Sequence, residues 1–158
     1  MTYRIPPGDA PGMTFRGEIV ARIGQRATIE AHGGLSRDFT PVLSGNFTGP
    51  GISARLLEGG GDWSTAVDGL FRLDARYLMQ ADNGDIIEIQ NRGVGHSSAD
   101  VFEEVSKTGR ASLDGVYFRT TALFFTSSEK YAWLGEKVFV GIGREFGAEL
   151  TLHIYEVH

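Results

Sequence analysis

The 158-residue sequence contains no cysteine. That excludes disulfides, thiolate metal sites and cysteine nucleophiles. Lysine is scarce as well: of 15 basic residues only Lys107, Lys130 and Lys137 are lysine, and the other 12 are arginine. The net charge of −5 argues against a general nucleic-acid binder. No apolar run reaches the length of a membrane helix, so no membrane partner is expected. The opening MTYRIPPGDAPG has no apolar signal core, which makes a cytoplasmic location the expectation. Only four histidines occur, His32, His96, His153 and His158. They show neither helical ligand spacing nor a dense acidic cluster, so no metal is expected. No GxSxG elbow is present, and no serine is placed as a nucleophile.

What the chain has in quantity is glycine, 22 residues at short intervals. After a Pro/Gly-rich stretch read as a flexible arm over residues 1–13, short strand-like runs alternate with turns. Strands are expected at Thr14–Ile23, Arg26–Ala31, Thr40–Thr48, Ile52–Glu58, Leu70–Gln80, Asp85–Arg92, Tyr117–Ser127, Lys137–Arg144 and Glu149–Val157. Such a pattern suggests a sandwich or barrel, one domain over residues 14–158. A single helix is expected over residues 97–107. There Val101, Phe102 and Val105 share a face, Ser97 or Ser98 can cap the start, and Gly109 follows the end.

The stretch LDARYLMQADNGDIIEIQNRG reads as a hairpin around Asn83-Gly84, the dipeptide that suits a two-residue type I′ turn. In that register Tyr77 faces Gln90 and Arg76 faces Asn91, and both faces mix apolar with hydrogen-bonding groups. A closed barrel accommodates this, with one face lining a ligand cavity and the other covered, for instance by a second subunit. A homodimer is therefore expected. Asp74 and Arg76, two apart, share a face and can pair. Farther along, Val138, Val140 and Ile142 form an aliphatic face, while Phe139, Gly141 and Gly143 set an aromatic beside glycines, as a cavity wall requires.

Other motifs weigh less. Gly93-Val94-Gly95 follows a strand and precedes the helix, but Ser98 stands where a dinucleotide loop needs its third glycine or an alanine, and no parallel βαβ unit follows. Gly59-Gly60-Gly61 lacks the Lys-Ser/Thr of a phosphate loop and reads as a turn. His96, in a loop after the hairpin, is a candidate acid/base or ligand-binding group against the plainer reading of a surface histidine.

In order, SGNFTGPGISARLLEGGGDW, LDARYLMQADNGDIIEIQNRG, VYFRTTALFFTSSEKYAWLGEKVFVGIG and the closing IYEV resemble the domain-of-unknown-function family 3237, whose bacterial members carry the uncharacterised-protein-family label 0311. The resemblance runs from about Arg16 to the C-terminus. It implies a small antiparallel calycin-like (lipocalin-like) β-barrel with one short helix. Some fungal members close an oxygen ring in polyketide pathways by intramolecular hydroalkoxylation, without a cofactor. By position, Asp62, Trp63, Asp74, Arg76, Asn91, Arg92, Arg119, Tyr131 and Trp133 correspond to the family's recurrent polar and aromatic residues. The expected catalytic groups are Asp74 or Asp62 as acid or base, Arg76, with Arg92 or Arg119 as alternatives, as a holder of a phenolate or carbonyl oxygen, and Tyr131 as a proton donor. Trp63, Asn91, Arg92, His96, Arg119 and Trp133 are the expected ligand contacts. The expected substrate is a small aromatic or polyketide-like molecule. A non-catalytic carrier of a small aromatic or carboxylate ligand is the alternative.

Overall fold

A computed structural model describes residues 8, 10–30, 33–96 and 98–158. Residues 1–7 and 9 of the expected arm, His32, and Ser97 as a helix cap lie outside the described residues. The strands are β1 (Met13–Ile23), β2 (Ala27–Glu30), β3 (Ser36–Gly49), β4 (Ile52–Leu56), β5 (Gly61–Val67), β6 (Leu70–Ala81), β7 (Ile86–His96), β8 (Arg110–Ser112), β9 (Phe118–Thr126), β10 (Val138–Gly147) and β11 (Glu149–Val157). One helix, α1 (Ala99–Thr108), precedes β8.

All the strand pairings are antiparallel, and they close on themselves. β1 pairs with both β11 and β3, and the circuit continues through β10, β9, β7 and β6. β4 and β5 share the one place between β3 and β6. β4 pairs with Gly45–Gly49 of β3 and β5 with Ser36–Pro41. The result is an eight-stranded barrel, as expected from the resemblance. Closure removes the free edges that a sheet of this size would otherwise present.

Two strands were not foreseen, β5 and β8, and one register differs from expectation. Asn83-Gly84 does not form a two-residue loop. The Ala81 N–H bonds to the Asp85 carbonyl and the Gly84 N–H to the Ala81 carbonyl, so Asp82, Asn83 and Gly84 all lie in the loop, with Gly84 at φ +89°. Tyr77 therefore faces Ile89 rather than Gln90, and Ala75 rather than Arg76 faces Asn91. A slip of one residue reverses one strand's faces relative to the other, and most of the polar groups gather on one face. Leu73, Ala75, Tyr77, Met79 and Ala81 point inward with Ile87, Ile89 and Asn91. Asp74, Arg76 and Gln80 point outward with Glu88, Gln90 and Arg92, and the exposed Leu78 and Ile86 lie among them. The pairs expected across a two-residue loop do not form. Nor do Asp74 and Arg76 pair: Arg92 bonds Asp74 at 3.1 Å and Arg76 bonds Glu88 at 3.0 Å.

The lower half of the barrel is solid. Phe47, Met79, Ile87, Ile89, Phe139 and Ile154 are fully buried there, with Phe47 stacked on Phe124 at 6.0 Å. The 3₁₀ turn at Ala132–Gly135 packs beside them through Leu134. Glycines on the inner face admit large neighbours instead of leaving space. A Cβ on Gly141 would strike Thr120, and one on Gly143 would strike the Phe118 ring. At the upper end, α1 lies over the opening. Ser98 is its N-cap residue but its side chain makes no capping hydrogen bond, while Gly109 ends the helix at φ +82°. Phe102 meets Phe146 edge-on at 6.3 Å. Among the described residues, no helix is long and apolar enough to cross a membrane.

Candidate active site

The upper half of the barrel encloses a cavity of about 400 Å³. Most of its wall is apolar: Ala21, Val42, Phe71, Leu73, Ala75, Phe118 and Leu152 from the strands, Val101 and Phe102 from α1. Into this wall the strands place a small set of polar groups, the usual composition of a ligand site. Their positions follow from the register. Thr40, Asp62, Ala75 and Asn91 pair in succession across β3, β5, β6 and β7 and so form one tier. Asp62 and Asn91 thus flank the small side chain of Ala75. Asp38 and Thr120 also face the cavity, and His96 and Arg26 line it toward the upper end.

Asp62 is the chemically distinctive group. Between the Asp62–Ala75 and Thr65–Arg72 pairs the β5–β6 ladder is interrupted, and there Asp62 Oδ1 accepts the Asp74 N–H at 2.9 Å. Burial pushes the Asp62 carboxyl up to about 6, with smaller contributions from the nearby charges of Asp74 and Asp38. The Asp74 N–H opposes that rise. Tyr77, in the cavity wall, has its phenol pushed up by burial and by the charge on Asp62. Asp38 is buried, and one of its oxygens faces the Arg26 guanidinium at 3.5 Å.

Of the residues expected at a site, the structure brings together Asp62, Asn91 and His96 on the cavity. His96 is exposed at the upper end, against the Tyr117 ring at 5.7 Å. Asp74, Arg76 and Arg92 project from the outside of the barrel, so only the backbone of Asp74 reaches the site. Trp63 is 47% exposed on the outside, against Phe39 and beneath Arg37. Arg119 also points away, its guanidinium on the Phe118 carbonyl and over the Tyr117 ring. Tyr131 is buried beside the lower core, where its hydroxyl donates to Asp82 at 2.6 Å. That bond, together with Lys130, holds the Asp82 carboxyl below its usual range. Trp133 packs on Phe139, with Arg16 over its ring. Asp38, Tyr77 and Thr120 were missed. A legible signal existed in Asp68-Gly69, a hairpin dipeptide between Val67 and Leu70 that fixes β5 against β6 and sets Asp62 opposite Ala75. Among the described residues, no three His, Asp or Glu side chains gather as a metal site.

Residues 11–157 match the family described as protein of unknown function DUF3237. The chain belongs to this family. The UPF0311 protein blr7842 of Bradyrhizobium diazoefficiens is 29% identical over 140 residues, covering 88% of this chain and 91% of that one. The crystal structure of the conserved protein of unknown function RPA1785 from Rhodopseudomonas palustris superposes with a TM-score of 0.86 at 25% identity, over 94% of this chain and 99% of that one. An enzyme from Penicillium herquei superposes with a TM-score of 0.73 at 22% identity over the whole of both chains. At that identity the likeness concerns the fold and not the chemistry. In this DUF3237 barrel the inward-facing polar groups Asp38, Asp62, Asn91 and Thr120 gather on the upper cavity.

Proposed function

We propose that the barrel binds a small aromatic, phenolic or polyketide-like molecule in its upper cavity and catalyses a cofactor-independent isomerisation by proton transfer. The reaction we favour is intramolecular hydroalkoxylation, addition of a phenol O–H across an alkenyl group of the same molecule. The observation that carries this reading is Asp62, whose carboxyl is buried in the wall of a mostly apolar chamber and pushed up to about 6. Near pH 6 it is present in both protonation states. The protonated carboxyl delivers its proton to the terminal alkene carbon as the phenolic oxygen bonds to the other one. The carboxylate left behind takes the phenol proton. One C–H and one C–O bond form, one O–H bond and the alkene π bond break, and Asp62 is regenerated. Such transfer contributes roughly 10²–10⁴-fold. A cavity that holds one folded conformer adds the advantage of proximity.

The chamber's mostly apolar wall also suits a carrier, and Asp62→Asn separates the two readings. With 2-allylphenol and related phenols that carry a terminal alkene as probes, wild-type protein is expected to release an isomer of equal mass in one enantiomeric form. Asp62→Asn is expected to bind the probe within a few-fold of wild type and to return it unchanged. A wild-type protein that binds the probes and releases them unaltered favours the carrier. Turnover by Asp62→Asn at the wild-type rate excludes Asp62 as the acid.

A further inference from the structure

Four buried side-chain oxygens have no hydrogen-bond partner among the described protein atoms: Asp38 Oδ1, Asn91 Oδ1, Thr120 Oγ1 and Ser128 Oγ. Ser128 does not line the cavity, but the other three do. Buried polar groups in native proteins are almost always paired, because an unmet one costs about as much as a hydrogen bond is worth. Three exceptions around one chamber call for a specific explanation.

Asn91 and Thr120 are close neighbours. On adjacent strands β7 and β9, Asn91 pairs with Ala122 and Gly93 with Thr120, so the two side chains are diagonal partners on the inner face. Each is only 2% exposed. The glycines at 93 and 141 are needed to seat Thr120, since a Cβ at either position would collide with it. The backbone is thus shaped to hold a hydroxyl at this point in the wall, where valine would fill the same volume without a polar cost.

We infer that Asn91 and Thr120 form a subsite for a free hydroxyl group on the ligand, and that this subsite discriminates hydroxylated aromatics from their O-alkylated forms. Thr120 turns its hydroxyl toward Gly141 on β10 and its methyl toward Gly93 on β7, so a ligand hydroxyl donates to Asn91 Oδ1 or accepts from Thr120 Oγ1. An ether oxygen cannot donate, and leaves Asn91 unmet. Asp38 Oδ1, on β3, offers a second acceptor to a ligand carrying another hydroxyl. The inference rests on the reading of the cavity as an aromatic-binding site, and it adds which substituent the site reads.

Calorimetric titration with 2-naphthol and 2-methoxynaphthalene tests it. Wild-type protein is expected to bind 2-naphthol at least about fivefold tighter, the worth of one net hydrogen bond. Thr120→Val and Asn91→Leu should each weaken 2-naphthol by about that factor and leave 2-methoxynaphthalene within twofold. Thr120→Val should also raise the melting temperature of the free protein, because it removes an unmet hydroxyl at constant volume. A merely structural Thr120 would lower it. If wild type binds both probes equally, or if the ratio survives both substitutions, the subsite is wrong while the cavity reading stands. If wild type binds neither probe, the cavity reading falls and the subsite with it.

Discussion

Asp62 and Asp74 carry the same carboxyl group on paired strands, and the side of the wall each faces separates their chemistry. Asp74 meets Arg92 in water, a pair worth no more than about 1 kcal/mol. Asp62 is pushed from 3.8 to about 6 by burial. A raised acid pKa means that the fold favours the protonated form. Its stabilising contribution is complete below about pH 4, is lost as the pH rises through about 6, and does not return above that. At pH 7 the ionised Asp62 therefore costs up to roughly 3 kcal/mol. Asp62→Asn is expected to be more stable than wild type by on the order of 2 kcal/mol at pH 7 and equal to it at pH 4, measured by urea unfolding. Asp74→Asn should change stability by less than about 1 kcal/mol at both. A destabilised Asp62→Asn at pH 7 would show that the carboxylate is paired and not merely buried.

At the level of elements, the strands and helix were largely legible in the sequence, because period-2 alternation and glycine punctuation are local signals. Register was not. Asn83-Gly84 favours a two-residue turn, but the burial of Ile87 and Ile89 opposite Met79 and Tyr77 requires the three-residue loop. Hydrophobic packing outweighed the turn preference, and each face of the expected hairpin was accordingly half right. The site was legible only where a strand's inward set was known. Asn91 and Asp62 fall on it, whereas Asp74, Arg76 and Arg92 belong to the opposite set. β5 escaped notice because Gly59-Gly60-Gly61 masks its start. Two substitutions test this placement. Gly93→Ala would press a methyl group into the Arg119 carbonyl and Thr120, and is expected to cost about 1–3 kcal/mol in thermal or urea unfolding. Ala75→Leu, between Asp62 and Asn91, should fill the chamber and abolish ligand binding while the barrel stays folded by circular dichroism.

For the whole molecule, closure of the sheet divides one solid half from one hollow half, and the hollow half carries the polar groups. The outside also has a division. Leu123, Phe125 and Val138 are 64%, 75% and 62% exposed on adjoining strands β9 and β10. The homodimer expected from the sequence is proposed on this patch instead of on a mixed hairpin face. A charged substitution such as Phe125→Glu should then convert dimer to monomer in light scattering at fixed protein concentration. A wild-type protein that is monomeric throughout would remove the proposal.

The central claim is that an acid poised near neutrality sits inside an aromatic-binding chamber. The most direct measurement is a pH titration of the Asp62 carboxyl by carbon NMR, with Asp62→Asn to assign the signal, repeated with 2-naphthol present. A midpoint near 6 is expected in the free protein, with a further displacement when 2-naphthol enters and excludes solvent. A midpoint near 3.8, unmoved by the probe, would mean that Asp62 faces water and that the chamber does not work as described.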